Sequence, residues 1–538
     1  MTPPPVNPRS LRAIAPVLVE NALVAAALAV SCPPDASHTP YSAFLSSTPA
    51  CHAASVPWWA WAAVVAATAA DVGLERRRLA RLAPPPDRDS DVPSHPPPPP
   101  PREWPLESAT RAHASAGLIY GTAMIPALLA RSSYASFVSH AVAWQLLGSL
   151  GVAITYLTRI ASPRTAARLF QLALVLHLLT PSNPWTVVAL ALTTAPALLH
   201  SMPRAFSLGE ALALATGLVL VADSFRARPT HAHVVVAAMQ HLALGSAAAA
   251  AVAAPVVKRL RSLDKGKTPL SDGGRRRARS AASLYAVIAA VIVGGVTPLM
   301  YLRSGVEPWT WVVGYIISSP AHSVMIGYWI GILALAFFVF PWHRSSNAQR
   351  KAYHLLAIAI VLPGYVWTPV FTSLALTVAL SAFTFAEMLR VSSAPPLGPL
   401  LQIALAPFRD IRDESFVLTS HMHLLLGIAL PVWTGVIEGT WRSGLAGMAA
   451  LGVGDALASV IGRRAAERGV AVRWHAGTTK TVQGSAGFVG GTLLFFAALG
   501  EPLSAGLVVA VLLTGAVEAV SSQFDNFVVP MVMLLAVM

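Results

Sequence analysis

Apolar residues fill this chain in blocks separated by short polar breaks. A first series lies at Ala13–Val30, Pro57–Val72, Gly117–Leu129, Phe137–Leu157, Leu169–Leu179, Val187–Leu199, Leu208–Val221 and Val234–Val257. A second follows at Leu284–Leu302, Trp309–Phe340, Tyr353–Val366, Val370–Phe385, Val417–Val436, Leu445–Ile461, Gly487–Leu499, Leu503–Val520 and Phe527–Val537. A bilayer crossing needs about 20 apolar residues, and in lipid only helices or closed barrels satisfy every backbone polar group. The pattern predicts an all-α, polytopic integral membrane protein with roughly fifteen transmembrane helices. Ala13–Val30 carries Glu20 and no clean cleavage context, so it is expected to be a retained first span and not a leader.

Three polar stretches interrupt the blocks. Residues 75–112 combine Arg76, Arg77, Arg78 and Arg81 with the prolines Pro96 to Pro101, the composition of an extended linker. Residues 258–282 hold Lys258, Arg259, Arg261, Lys265, Lys267, Arg275, Arg276, Arg277 and Arg279, a basic loop suited to an anionic lipid surface. The third, 463–484, is basic too, but short and rich in glycine and threonine. The positive-inside rule places all three on the cytoplasmic face. The expected organisation is therefore spans over 1–74, the linker 75–112, membrane helices over 113–257, the basic loop 258–282, further helices over 283–349, and a carboxy-terminal region 350–538.

Composition narrows the function classes. Of the 538 residues 55% are hydrophobic and 12% charged, and the mean hydropathy is +0.60, which excludes a soluble globular protein or a large extramembrane catalytic domain. The net charge of +14 is accounted for by basic cytoplasmic loops and implies no nucleic acid. The two cysteines, Cys32 and Cys51, exclude a cysteine-based metal site. Parity puts their loop in the opposite, oxidising compartment, where they are expected to pair with each other.

Chemistry concentrates in the carboxy-terminal region. Asp455 follows Gly454 inside an apolar run, and a carboxylate at that depth faces a polar cavity, a cation or a partner by default. In a helix, Asp455, Ser459 and Gly462 fall on one face of small or polar residues; the competing reading is an Asp that caps the helix start. The stretch Arg473 to Gly484, RWHAGTTKTVQG, offers glycines, hydroxyls at Thr478, Thr479 and Thr481, and the cation Lys480. Those residue types suit polyphosphate, although the spacing is not that of a P-loop; taken alone, the pattern also reads as an ordinary basic turn. In EAVSSQFDN, Glu518, Ser522 and Asp525 are spaced so that one helix would present both carboxylates on a single face, toward a cation; the competing reading is a loop with solvated charges. His421 and His423, one residue apart, are poorly spaced for a helical metal site and read as core or interfacial histidines.

The segments GDALAS at Gly454–Ser459, GTTKT at Gly477–Thr481, QGS at Gln483–Ser485 and EAVSSQFDNFVVP at Glu518–Pro530 together resemble the dolichol kinases of the polyprenol kinase family. RKAYH at Arg350–His354, DIRD at Asp410–Asp413 and SHMHLLLG at Ser420–Gly427 extend the resemblance from about Arg350 to the end. It implies phosphorylation of the terminal hydroxyl of dolichol with CTP as phosphoryl donor at the endoplasmic reticulum membrane, the active site facing the cytoplasm. A divalent metal ion, Mg²⁺ or Ca²⁺, is implied as cofactor. Carried onto this chain, the catalytic set is Asp455, Lys480, Glu518 and Asp525, with Asp455 and Asp525 on the metal. Nucleotide binding falls to Gly454, Ser459, Arg473, Trp474, Gly477, Thr478, Thr479, Lys480, Thr481, Gln483 and Gly484. The chain departs from the family at Gln483-Gly484-Ser485, where Glu-Gly-Thr is common, and at Ile411, which replaces an acid. The related phytol and diacylglycerol kinases are the alternative within the same chemistry. An ion-coupled transporter, using the same acids as ion sites, is the alternative outside it.

Overall fold

The computed structural model describes residues 163–179, 184–224, 234–265, 270–339, 347–406, 415–474, 479–521 and 523–538, with residues 18–23, 26, 68 and 71 near the amino terminus. The linker 75–112, Cys32, Cys51, Asp410, Asp413, Gly477 and Thr478 lie outside the described residues. Among the described residues there is no strand, and a lone antiparallel bridge joins Arg473 to Thr481.

The helices are α1 (Pro163–Leu179), α2 (Pro184–Ser201), α3 (Leu208–Ser224), α4 (Val234–Lys265), α5 (Leu270–Val291), α6 (Thr297–Ser304), α7 (Pro308–Ile317), α8 (Pro320–Val339) and α9 (Asn347–Trp367). They continue as α10 (Pro369–Ser392), α11 (Leu397–Leu405), α12 (Ser420–Glu438), α13 (Trp441–Gly447), α14 (Ala456–Glu467), α15 (Val482–Ala498), α16 (Ala505–Val520) and α17 (Asp525–Val537). Two wider π-helical turns, Ile292–Val296 and Met448–Asp455, join α5 to α6 and α13 to α14.

Among the described residues, five stretches are long and apolar enough to cross a bilayer: Val234–Leu263, Arg275–Ser304, Pro369–Ser392, Ser420–Glu438 and Trp441–Glu467. The block Trp309–Phe340, expected as one helix, is two: Pro308–Ile317 and the helix from Pro320 bend by 93°. Pro320 opens the second helix, a position where its missing N–H is no loss. Counted as one span, this pair makes six among the described residues, against roughly fifteen crossings expected over the whole chain, of which the blocks Gly117–Leu129 and Phe137–Leu157 lie outside the described residues. Part of the difference is length. The helices α15, α16 and α17 hold 17, 16 and 13 residues, and at about 1.5 Å per residue they reach roughly 20 to 26 Å, less than the hydrocarbon thickness of about 30 Å.

The largest buried cluster joins helices from both halves of the chain. Leu199, Phe206 and Leu212 of the α2–α3 region share it with Phe488 of α15 and with Phe524, Phe527 and Leu534 around α17. Every residue of α17 from Phe527 to Ala536 is buried, the expected setting for a helix apolar all round. Beside it, the π turn Met448–Asp455 is held between neighbours by its glycines. A side chain at Gly452 would meet Ile358 of α9 at 2.1 Å, and one at Gly454 would meet Thr492 of α15 at 2.6 Å. Side chains of both neighbours thus pack directly against the backbone of the turn that ends at Asp455.

Candidate active site

Asp455 closes the π turn and stands before α14, 4% exposed. Its backbone is helical and its side chain caps nothing, which overturns the reading of Asp455 as a helix cap. The carboxylate instead ion-pairs with Lys351 of α9 and lies 3.1 Å from Nδ1 of His354, one turn further along the same helix. A π turn re-aims the side chains that follow it, and such turns recur at functional positions.

Lys480 comes from the connection between α14 and α15. Gly469, in the left-handed conformation at φ 71°, lets the chain leave α14. It then doubles back: Val482 N–H donates to Val472 C=O at 2.8 Å, and the Gln483 amide spans the two arms, donating to Val470 C=O at 2.7 Å and accepting from Val472 N–H at 3.0 Å. Thr481 caps α15 by accepting from Gly484 N–H at 3.0 Å. The ammonium so placed ion-pairs with Glu518 and lies 3.2 Å from Oδ2 of Asp525. Burial by itself pulls its pKa down, but the carboxylates of Asp525, Glu518 and Asp455 outweigh that effect and hold it above the ordinary lysine value.

Glu518 and Asp525 do not share a helix face. The helix α16 ends at Val520, Ser521 is extended, and Asp525 is the first residue of α17. The single-face arrangement expected from the spacing is corrected to a break, and it is the break that turns both acids toward Lys480. One carboxylate oxygen from each of Asp455, Glu518 and Asp525 lies within 4.8 Å of the others.

These groups line an open cavity of about 490 Å³, together with Lys351, His354, Ser420, His421, Ser459, Gly462, Arg463, Arg473, Thr479, Thr481, Gly484 and Asn526. Asp455, Ser459 and Gly462 thus share the face read from their spacing. Three expected nucleotide contacts lie elsewhere. Gly454 is packed against Phe488 and Thr492, Gln483 braces the loop, and the exposed Trp474 indole donates to Ser485 Oγ at 3.0 Å. His423 is a core residue, its ring 4.5 Å from that of Phe524. The sequence reading missed Lys351, His354 and Arg463; the RKAYH segment carried the first two, but nothing in it says that they meet Asp455 across about a hundred residues.

No family model matches the chain, and no solved structure matches it. Curated relatives do. The chain is 35% identical over 243 residues to the dolichol kinase EVAN of Arabidopsis thaliana, covering 42% of each protein. It is 28% identical over 275 residues to human dolichol kinase, covering 46% of this chain and 50% of that one. With the dolichol kinase of Saccharomyces cerevisiae it shares 30% over 194 residues, 35% of each. The matched stretch spans half or less of each relative's length. Over the matched stretches the chain is thus similar to dolichol kinases of plant, animal and yeast origin.

Proposed function

We propose that the chain transfers the γ-phosphoryl group of CTP to the hydroxyl of dolichol, giving CDP and dolichyl phosphate, the lipid carrier for protein glycosylation. The observation that carries this reading is the convergence of Asp455, Glu518 and Asp525 with Lys351 and Lys480 in one open cavity among membrane helices. Four cationic side chains, Lys351, Lys480, Arg463 and Arg473, line it beside three carboxylates. That balance suits a polyphosphate accompanied by a divalent ion, and phosphoryl transfer asks of a protein chiefly positioning and charge neutralisation.

The carboxylate set fits such an ion, because Mg²⁺ and Ca²⁺ take hard oxygen donors and three are offered within 4.8 Å of one another. Glu518 thereby joins Asp455 and Asp525 as a ligand. A cation held there neutralises charge on the transferred group. Lys480 and Lys351 hold phosphate oxygens as point charges, and Thr479 with the Thr481 region borders the nucleotide. The alcohol oxygen forms its bond to the γ-phosphorus, the bond from that phosphorus to the bridging oxygen of CDP breaks, and the hydroxyl proton passes to a carboxylate of the cluster. The isoprenoid tail lies among apolar helices while its hydroxyl reaches the cytoplasmic mouth, at the endoplasmic reticulum membrane.

The test is purified protein in detergent with γ-labelled CTP and dolichol. Label should appear on the lipid with Mg²⁺ or Ca²⁺ and disappear with a chelator. Preferential labelling of phytol or diacylglycerol would move the substrate assignment within the chemistry. Absence of any transfer, with ion-driven uptake in vesicles, would replace the kinase by a transporter.

A further inference from the structure

Glu210 lies far from the 350–538 region in sequence, yet it touches the segment that delivers Asp525. Ser207 and Glu210 open α3 as a reciprocal capping box. Glu210 N–H donates to Ser207 Oγ at 3.2 Å, and Ser207 N–H donates to Oε2 of Glu210 at 2.9 Å. A capping box occupies one carboxylate oxygen. The other, Oε1, accepts from Phe524 N–H at 2.9 Å, 314 residues further along the chain.

Glu210 is fully buried, so its carboxylate is held by backbone donors in place of water, and hydrogen bonds to an ionised acceptor are roughly twice as strong as neutral ones. Phe524 is the residue before α17 and its side chain offers no cap. Its N–H belongs to the break between α16 and α17, ahead of the first turn of α17. The same patch grips Phe524 from a second side: the His423 ring lies 4.5 Å from that of Phe524 and 5.8 Å from that of Phe206, next to Ser207.

We infer that Glu210 is a positioning residue for the site: by holding Phe524 it fixes where α17 begins, and so where the Asp525 carboxylate sits against Lys480 and the other two acids. The inference rests on the phosphoryl-transfer reading of the cavity. It gives a helix before residue 340 a part in the chemistry beyond membrane anchorage.

The test compares Glu210→Ala, Glu210→Asp and Ser207→Ala in the full-length protein. Asp keeps a carboxylate in the first turn of α3, and with it the fold, but is one methylene too short to reach Phe524. Both Glu210 variants should lower kcat roughly ten- to a hundredfold, while KM for CTP changes by less than about threefold. Hydrogen exchange over residues 521–527 should speed up in both. Ser207→Ala weakens the cap alone and should leave turnover and that exchange near wild type. Wild-type kcat and exchange in folded Glu210→Asp would overturn the inference, as would equal losses in Ser207→Ala. If the wild type transfers no phosphoryl group while the exchange contrast holds, the positioning contact stands and the functional reading fails.

Discussion

At the scale of single residues the site is a set of paired charges. Asp455 is taken by Lys351 and His354, and Lys480 by Glu518 and Asp525. Removing one partner of a buried pair leaves the other uncompensated, at a cost of about 3 to 5 kcal/mol. Lys351→Met should therefore reduce kcat about as far as Asp455→Asn, by roughly a hundredfold or more, and the double variant should lose little beyond the worse single. Full additivity in that cycle would show that Lys351 and Asp455 act separately. Lys480→Ala removes the cation that faces two acids at once. It should abolish turnover and weaken CTP binding while the protein still inserts; near-normal turnover at modest CTP would move the phosphate site elsewhere. The residue types were legible in advance, since an aspartate in an apolar run and a lysine among glycines and threonines are each conspicuous. Their partners were not, because Lys351 and Asp455 are joined only by the packing of α9 against the π turn.

At the scale of helices the site depends on close approaches that only small residues permit. A side chain at Gly427 of α12 would lie 2.1 Å from the carbonyl oxygen of Asn526, next to Asp525, and one at Gly447 would lie 2.3 Å from the carbonyl of Gly427. Both obstacles are backbone, which cannot swing aside. Gly427→Ala should push α12 away from the start of α17, destabilise by about 1 to 3 kcal/mol and reduce turnover by displacing Asp525. Gly490, exposed on α15 with nothing within 4 Å, supplies the comparison: Gly490→Ala should keep activity and raise stability slightly. Equal behaviour of the two variants in thermal unfolding and turnover would remove the packing argument. Hydrophobic blocks foretold most of these helices, and the face of Asp455, Ser459 and Gly462 followed from their spacing. What spacing could not reveal is where a helix stops. The interval from Glu518 to Asp525 fits an unbroken helix and a break equally well, and the break is set by Glu210 and the core around Phe524, both supplied from distant sequence.

For the whole molecule, one end of the helix bundle gathers the basic residues and the cavity together. The Arg261 guanidinium lies 3.6 Å over the ring of Phe416, whose carbonyl accepts from Arg390 at 2.6 Å, and Arg277 donates to the Ser393 carbonyl at 3.1 Å. Phe416 leads directly into Ser420 and His421, which line the cavity. The basic ends of α4 and α5, the end of α10 and the cavity mouth are thus neighbours, and we propose that they share one compartment, the one the positive-inside rule assigns to basic loops. The stretch Arg275–Ser304 is 30 residues long, about 45 Å at 1.5 Å per residue, enough to carry Thr310 to the other face. In a Cys32→Ser, Cys51→Ser background, Ser262→Cys and Glu467→Cys, both at exposed positions, should react with a membrane-impermeant maleimide added on the side from which CTP is used. Thr310→Cys should react only from the opposite side. Labelling of Ser262→Cys and Glu467→Cys from different sides would separate the basic loop from the catalytic mouth. Labelling of both from the side opposite to CTP would leave the phosphate-binding loop out of reach of its nucleotide.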